Sequence, residues 1–97
     1  MGRLKVEYEW VCEHSDEHGD IFDCNFGDSL AEVRRFAGNN PEAKVDFALV
    51  KHEFDDIDGE QGRGYAYLEN GVLADKFEGV VNPYIPARFR AEAERAA

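Results

Sequence analysis

Residues 4–26 read LKVEYEWVCEHSDEHGDIFDCNF. Leu4, Val6, Tyr8, Trp10 and Cys12 alternate with Lys5, Glu7, Glu9, Val11 and Glu13. A period of two gives an extended strand one face for a core and one largely acidic face for water. The polar run His14–Gly19 supplies turn residues. Phe22, Cys24 and Phe26 then continue the apolar face along a return strand, roughly Asp20–Phe26, so the stretch predicts a long β-hairpin. For the two apolar sets to share a face, opposed residue numbers must sum to an even number. A sum of 34 sets Cys12 against Phe22 and Trp10 against Cys24, and a sum of 36 sets Cys12 against Cys24. The pattern leaves both open.

Outward from the hairpin, Ser29 with Glu32 three residues on forms a capping box that starts a helix. Leu30, Val33, Phe36 and Ala37 make its apolar stripe, and Gly38-Asn39-Asn40-Pro41 stops it after about three turns. Lys44–Phe54 is the third strand. Val45, Phe47 and Leu49 lie on one face, and Ala48, Val50, His52 and Phe54 on the other, which predicts an interior strand next to the first hairpin. Strand four is expected over Tyr65–Glu69. Asn70-Gly71 should fold Val72-Leu73 back on Tyr67-Leu68. Phe77, Val80 and Val81 are expected to tuck against the edge, and Pro86 opens a terminal helix over about 86–96. Residues 1–97 therefore read as one α+β domain. Its antiparallel sheet has four to five strands in the order β-β-α-β-β-(β)-α, with the middle helix packed on one face.

Of the 97 residues, 43% are hydrophobic and seven are Phe, enough for a core. The formal charge is −10. Residues 1–60 hold 16 Asp/Glu against 6 Lys/Arg, a difference of −10, and residues 61–97 hold 5 of each. The negative excess thus lies in the first two thirds. Such a surface repels nucleic acid and anionic membranes and attracts a basic protein surface. No apolar run approaches the ~20 residues of a membrane span. Met1-Gly2-Arg3 leads straight into a charged strand without a signal-peptide core, so a cytoplasmic location is expected.

No constellation dictates a reaction. Cys12, His14, His18 and Cys24 are zinc-ligand types, but C-x-H-x3-H-x5-C matches no zinc module, and both cysteines read as buried. Asp55–Glu60 has the look of a calcium loop around Gly59, yet Phe54 and Tyr65 stand where the outermost ligands belong. Gly62-x-Gly64 lacks the third glycine and the strand-to-helix context of a phosphate loop. A nucleophile–base pair is not visible. The expectations are a non-enzyme, no metal and no cofactor.

Tyr8-Glu9-Trp10, Asp16-Glu17-His18-Gly19-Asp20-Ile21, Ser29-Leu30-Ala31, Tyr65-Ala66-Tyr67 with Asn70-Gly71, and Ile85-Pro86-Ala87-Arg88-Phe89 resemble stretches of small, acidic, uncharacterised bacteriophage and prophage proteins. The resemblance covers most of the chain and carries no chemistry. It implies a genomic context, in which small acidic proteins include anti-CRISPR and anti-restriction inhibitors that imitate DNA. Charge and resemblance together suggest a protein-binding module for a basic host surface in the host cytoplasm. The residues singled out for that docking are Glu7, Glu9, Glu13, Asp16, Glu17, Asp20 and Asp23, with Asp55, Asp56 and Asp58 as a second cluster. Glu7 and Glu9 would present carboxylates about 6.6–7 Å apart, as a nucleic-acid backbone presents phosphates. The alternative is a structural or assembly accessory protein that self-associates, as a homodimer for example, through an apolar sheet face.

Overall fold

The computed structural model describes residues 5–55 and 57–96. Strands β1 (Lys5–Ser15) and β2 (Ile21–Gly27) form the hairpin. Helix α1 (Leu30–Arg34) runs on into a 3₁₀ stretch, Arg35–Asn39. Strands β3 (Lys44–Asp55), β4 (Gly59–Glu69) and β5 (Val72–Leu73) follow, and α2 (Ala87–Ala96) closes the described chain. The fold is α+β. Its five strands form one antiparallel sheet in the spatial order β2-β1-β3-β4-β5.

The middle helix is shorter than its stripe suggests. The Ser29 hydroxyl accepts from the Glu32 amide at 3.1 Å, and Glu32 reaches back to the Asp28 amide at 3.1 Å, so the start is capped from both directions. After Arg34 the chain tightens into 3₁₀ geometry. Strand four is longer than expected and begins at Gly59. At the β4–β5 turn, Asn70 (φ 53°) and Gly71 (φ 79°) both take the left-handed conformation that an Asn-Gly hairpin turn requires.

One face of the sheet is covered. Trp10 and Cys12 of β1, Leu49 of β3, Ala66 of β4 and Leu73 of β5 pack with Leu30 and Val33 of α1, Ala93 of α2, and Phe77 and Ile85 of the loop before α2. Tyr8, Phe47 and Phe89 border this core. The loop sits low because β4 makes room for it. A Cβ on Gly64 would lie 2.8 Å from Val80 Cγ1 and 3.0 Å from the Glu78 carbonyl oxygen. The Gly62-x-Gly64 pair is thus a seat for a backbone strap. Two buried charges of β3 tie that strap down. Lys51 Nζ donates to the Asn82 carbonyl at 2.6 Å and lies 5.5 Å from the Phe77 ring centre. Glu53 Oε1 accepts from the Val81 amide at 3.0 Å. Val81 itself is 92% exposed, so only Phe77 and Val80 of the expected trio tuck in.

The hairpin register corrects the sequence reading. Ser15 opposes Ile21, but the ladder shifts between His14 and Ser15, and paired numbers then sum to 37 from His14–Asp23 to Trp10–Gly27. The extra residue, Phe22, is a β-bulge. Cys12 therefore opposes Asn25, and Cys24 opposes Glu13. Adjacent residues of a strand point to opposite faces. Cys12 faces the covered core, while Cys24 and Phe26 stand on the other side. The physical reason is Val11. It interrupts the acidic face of β1 with an apolar group, and the odd register sets Phe26 against it.

Candidate functional site

No described helix covers the second face of the sheet. Its side chains can be placed row by row from the ladder. Phe26, Val11, Ala48 and Tyr67 are successive cross-strand partners over four strands, β2-β1-β3-β4. The next row toward the start of β1 is Glu9, Val50 and Tyr65. Val11, Ala48 and Val50 have no exposed surface and cluster with Tyr65. What shields them is the longer side chains around them. Phe26 and Tyr67 remain 40% and 41% exposed, and the Tyr65 and Tyr67 rings lie 6.3 Å apart, nearly parallel. The centre of this face is thus an aromatic and aliphatic strip, open to solvent along its rings.

Carboxylates border the strip on both sides. Toward the hairpin turn lie Glu13 and Asp46, which oppose each other across β1 and β3. Glu13 is only 6% exposed. Burial and a hydrogen bond to Glu13 push the Tyr67 phenol above its ordinary range. Toward the start of β1 lie Glu9 and Glu7, then the row Glu7, His52 and Arg63. His52 is held between two carboxylates. Nε2 is 2.7 Å from Glu9 Oε1, and Nδ1 is 2.7 Å from Glu60 Oε1. Arg63 binds Glu60 through Nε at 3.1 Å and Nη2 at 3.2 Å. The Arg63 guanidinium, with His52 adding to it, pulls the Glu60 carboxyl down to about 2.

The acidic residues named from the sequence do not form one surface. Glu7, Glu9 and Glu13 do share the uncovered face, but each is engaged. Glu7 meets Lys5 at 3.2 Å, Glu9 meets His52, and Glu13 meets Tyr67. Asp16, Glu17 and Asp20 lie in or beside the hairpin turn and are exposed. Asp16 Oδ1 accepts from the His18 and Asp20 amides at 2.9 and 3.0 Å, which closes that turn. A groove of about 680 Å³ beside the turn is lined by Asp16, Glu17, Phe22, Pro41 and Glu42 among others. Asp23 belongs to the covered side. It accepts from Asn40 at 3.1 Å and lies 3.8 Å from His14 Nδ1. Asp55 and Asp58 sit at the β3–β4 turn, at the other end of β1 and roughly 33 Å from the hairpin turn for an eleven-residue strand. Asp56 lies outside the described residues.

The four residues weighed as zinc ligands do not converge. Cys12 and His14 are buried on the covered side, where His14 Nε2 donates to the Ala37 carbonyl at 3.2 Å. His18 is in the turn and Cys24 is on the uncovered face. Among the described residues, no three or more His, Cys, Asp or Glu side chains are gathered as a metal site would gather them. Sequence reasoning missed Phe26 and Tyr67 as a pair, and it missed the His52–Glu60–Arg63 network. A signal was available for the second. His52 is the polar member of the alternation Val50-His52-Phe54, Arg63 alternates with Tyr65 and Tyr67, and Glu60 lies three residues before Arg63.

A comparison of the chain with protein-family models, with curated proteins and with solved structures finds no match. The described residues contain no helix long and apolar enough to cross a membrane.

Proposed function

We propose that this is a non-enzymatic protein-binding module that docks the uncovered face of its sheet on a basic partner protein. The observation that carries the reading is the row Phe26-Val11-Ala48-Tyr67 lying open between carboxylates. Interfaces are built with an apolar, aromatic centre and a polar rim, and charge in the rim steers the encounter. With a formal charge of −10, the chain favours a partner of the opposite sign. In this reading the rings anchor, and Glu7 and Asp46 steer. The sequence reading had the emphasis elsewhere, on a ladder of free carboxylates standing in for phosphates. Internal pairing weakens such a ladder, because a carboxylate held by His52, as Glu9 is, or by Tyr67, as Glu13 is, offers less to a second partner, whereas the exposed contact with Lys5 leaves Glu7 the freest of the three. A phage-encoded inhibitor of a host nucleic-acid-binding defence protein is the biological setting we propose, on the strength of acidity and resemblance.

The test is capture from a bacterial lysate on immobilised protein, run beside a Phe26→Lys/Tyr67→Lys variant checked for its fold by circular dichroism. A basic protein retained by the parent and lost by the variant supports the reading. Equal retention by both contradicts it. The same apolar row favours one second reading, self-association face to face. Sedimentation of the parent as a dimer, with the variant a monomer, would establish that instead.

A further inference from the structure

We infer that the unpaired edge of β1, Lys5–Glu9, receives an extended basic segment of a partner as an added strand. The hairpin is lopsided. β1 pairs with β3 along its whole length, Lys5 to Ser15, but with β2 only from Trp10 to Ser15. β2 stops at Gly27, and the chain turns away to cap α1 at Ser29. Over Lys5–Glu9, no strand among the described residues pairs with the side of β1 that faces away from β3. Such an edge points the N–H and C=O of every second residue outward without partners, and so forms a template for another strand.

The surroundings define what fits. A groove of about 840 Å³ reaches from this edge over the uncovered face of the sheet as far as His52, Glu60 and Arg63. One wall is formed by Val6, Tyr8 and Phe89; the Tyr8 and Phe89 rings are 4.8 Å apart, and the Arg88 guanidinium lies over both, 5.4 and 4.6 Å from their centres. The other wall carries Glu7 and Glu9, which with Asp28 and Glu60 outnumber the two guanidinium groups of the lining, Arg63 and Arg88. Asp28 stands among the lining residues, one position past the end of β2. A strand added here keeps a period of two, so its side chains fall alternately beside Glu7 and Glu9 and beside Val6 and Tyr8. Opposite charges are favourable across neighbouring strands and like charges are not. The segment that fits therefore alternates Lys or Arg with apolar residues. This is peptide recognition by strand addition, in which main-chain hydrogen bonds supply affinity and alternate side chains supply selectivity. A second copy of the chain fits less well, because it would bring a further formal charge of −10 to the same edge. The sign of the segment's charge rests on the proposed function, whereas the free edge does not.

The experiment titrates a short synthetic peptide alternating lysine and valine into the isotopically labelled full chain, followed by amide shifts. Two companion peptides carry N-methyl groups on every second nitrogen, one in each phase, and a fourth replaces lysine by glutamate. The expected result is saturable shifts centred on residues 5–9. One methylated phase should lose about tenfold or more in affinity while the other binds like the parent peptide, since only one phase donates to the edge. The glutamate peptide should not bind. Equal binding of both methylated peptides, or shifts centred elsewhere, would overturn the inference. So would sedimentation of the free chain as a dimer with the amides of residues 5–9 protected, which would assign the edge to a second copy. If the lysine peptide fails while a basic protein partner still binds the parent and not the Phe26→Lys/Tyr67→Lys variant, the edge inference falls alone. If both fail, the proposed function falls with it.

Discussion

Val11 of β1 lies opposite Phe26 of β2, and both stand on the face of the sheet that no described helix covers. Of this apolar pair only the Phe26 ring meets solvent. Val11 has no exposed surface, and the Phe26 ring keeps 40% of its own. The molecule thus carries a finished core on one side and an unfinished one on the other.

Trp10 is fully buried on the covered side, its ring and that of Phe89 at 74° to each other with a centroid distance of 6.4 Å. Trp10→Ala should cost about 3–5 kcal/mol, the usual penalty for emptying a large buried site. A urea melt giving a loss under about 1 kcal/mol would mean that the covered side is not the core.

Gly64→Ala would drive a methyl group into Val80 and the Glu78 carbonyl. The strap before α2 must lift, and a loss of about 1–3 kcal/mol is expected. Gly38→Ala is the control, since a Cβ there meets nothing within 4 Å. Equal melts for the two variants would contradict the close seating of the strap.

The bulge at Phe22 separates the two thiols. Cys24 is exposed and Cys12 is buried. Burial pushes the Cys12 thiol above its ordinary range, partial desolvation by its neighbours raises Cys24 as well, and the carboxylates of Glu13 and Asp23 add to it at each. A thiol reagent should modify Cys24 in the native protein and Cys12 only in denaturant. Mild oxidation should leave the two unlinked, because their Cβ atoms point to opposite faces. Ready formation of a Cys12–Cys24 disulfide would contradict the register.

The Glu60 carboxyl is held down to about 2 by Arg63 and His52, against an ordinary value of 4.5. A carboxyl depressed by folding stabilises the native state fully above its unfolded value. As pH falls from about 4.5 toward 2, the unfolded chain takes up this proton first, and the stabilisation is lost. Urea melts at neutral pH and near pH 3 should show the parent losing more stability than Glu60→Gln over that interval. An equal loss for both would show that the network does not persist in solution.

Much of the fold can be read from local chemistry. Ser29 with Glu32 marks a helix start, and Asn70-Gly71 marks a hairpin turn, because each is decided by residues three or fewer apart. The strand periods of β1 and β3 give their inner faces for the same reason. The side on which β2 presents its residues is different. It depends on one extra residue, Phe22, and a single-residue shift exchanges the faces of a whole strand. Burial of Glu13 was equally hidden, since its partner Tyr67 comes from β4, with β3 between them. The acidic residues were visible as charges but not as a surface. Only the ladder shows that Glu9 is engaged by His52 of β3, that Asp23 belongs to the covered side, and that Asp55 and Asp58 lie at the far end of β1.

The docking claim is tested most directly by surface plasmon resonance with the captured basic partner, at low and high salt, using the parent and the folded Phe26→Lys/Tyr67→Lys variant. Charge steering predicts that the association rate falls about tenfold or more as salt screens the rim. Anchoring by the rings predicts that the variant does not bind at either salt. A variant that binds as tightly as the parent, with an association rate indifferent to salt, would contradict the account.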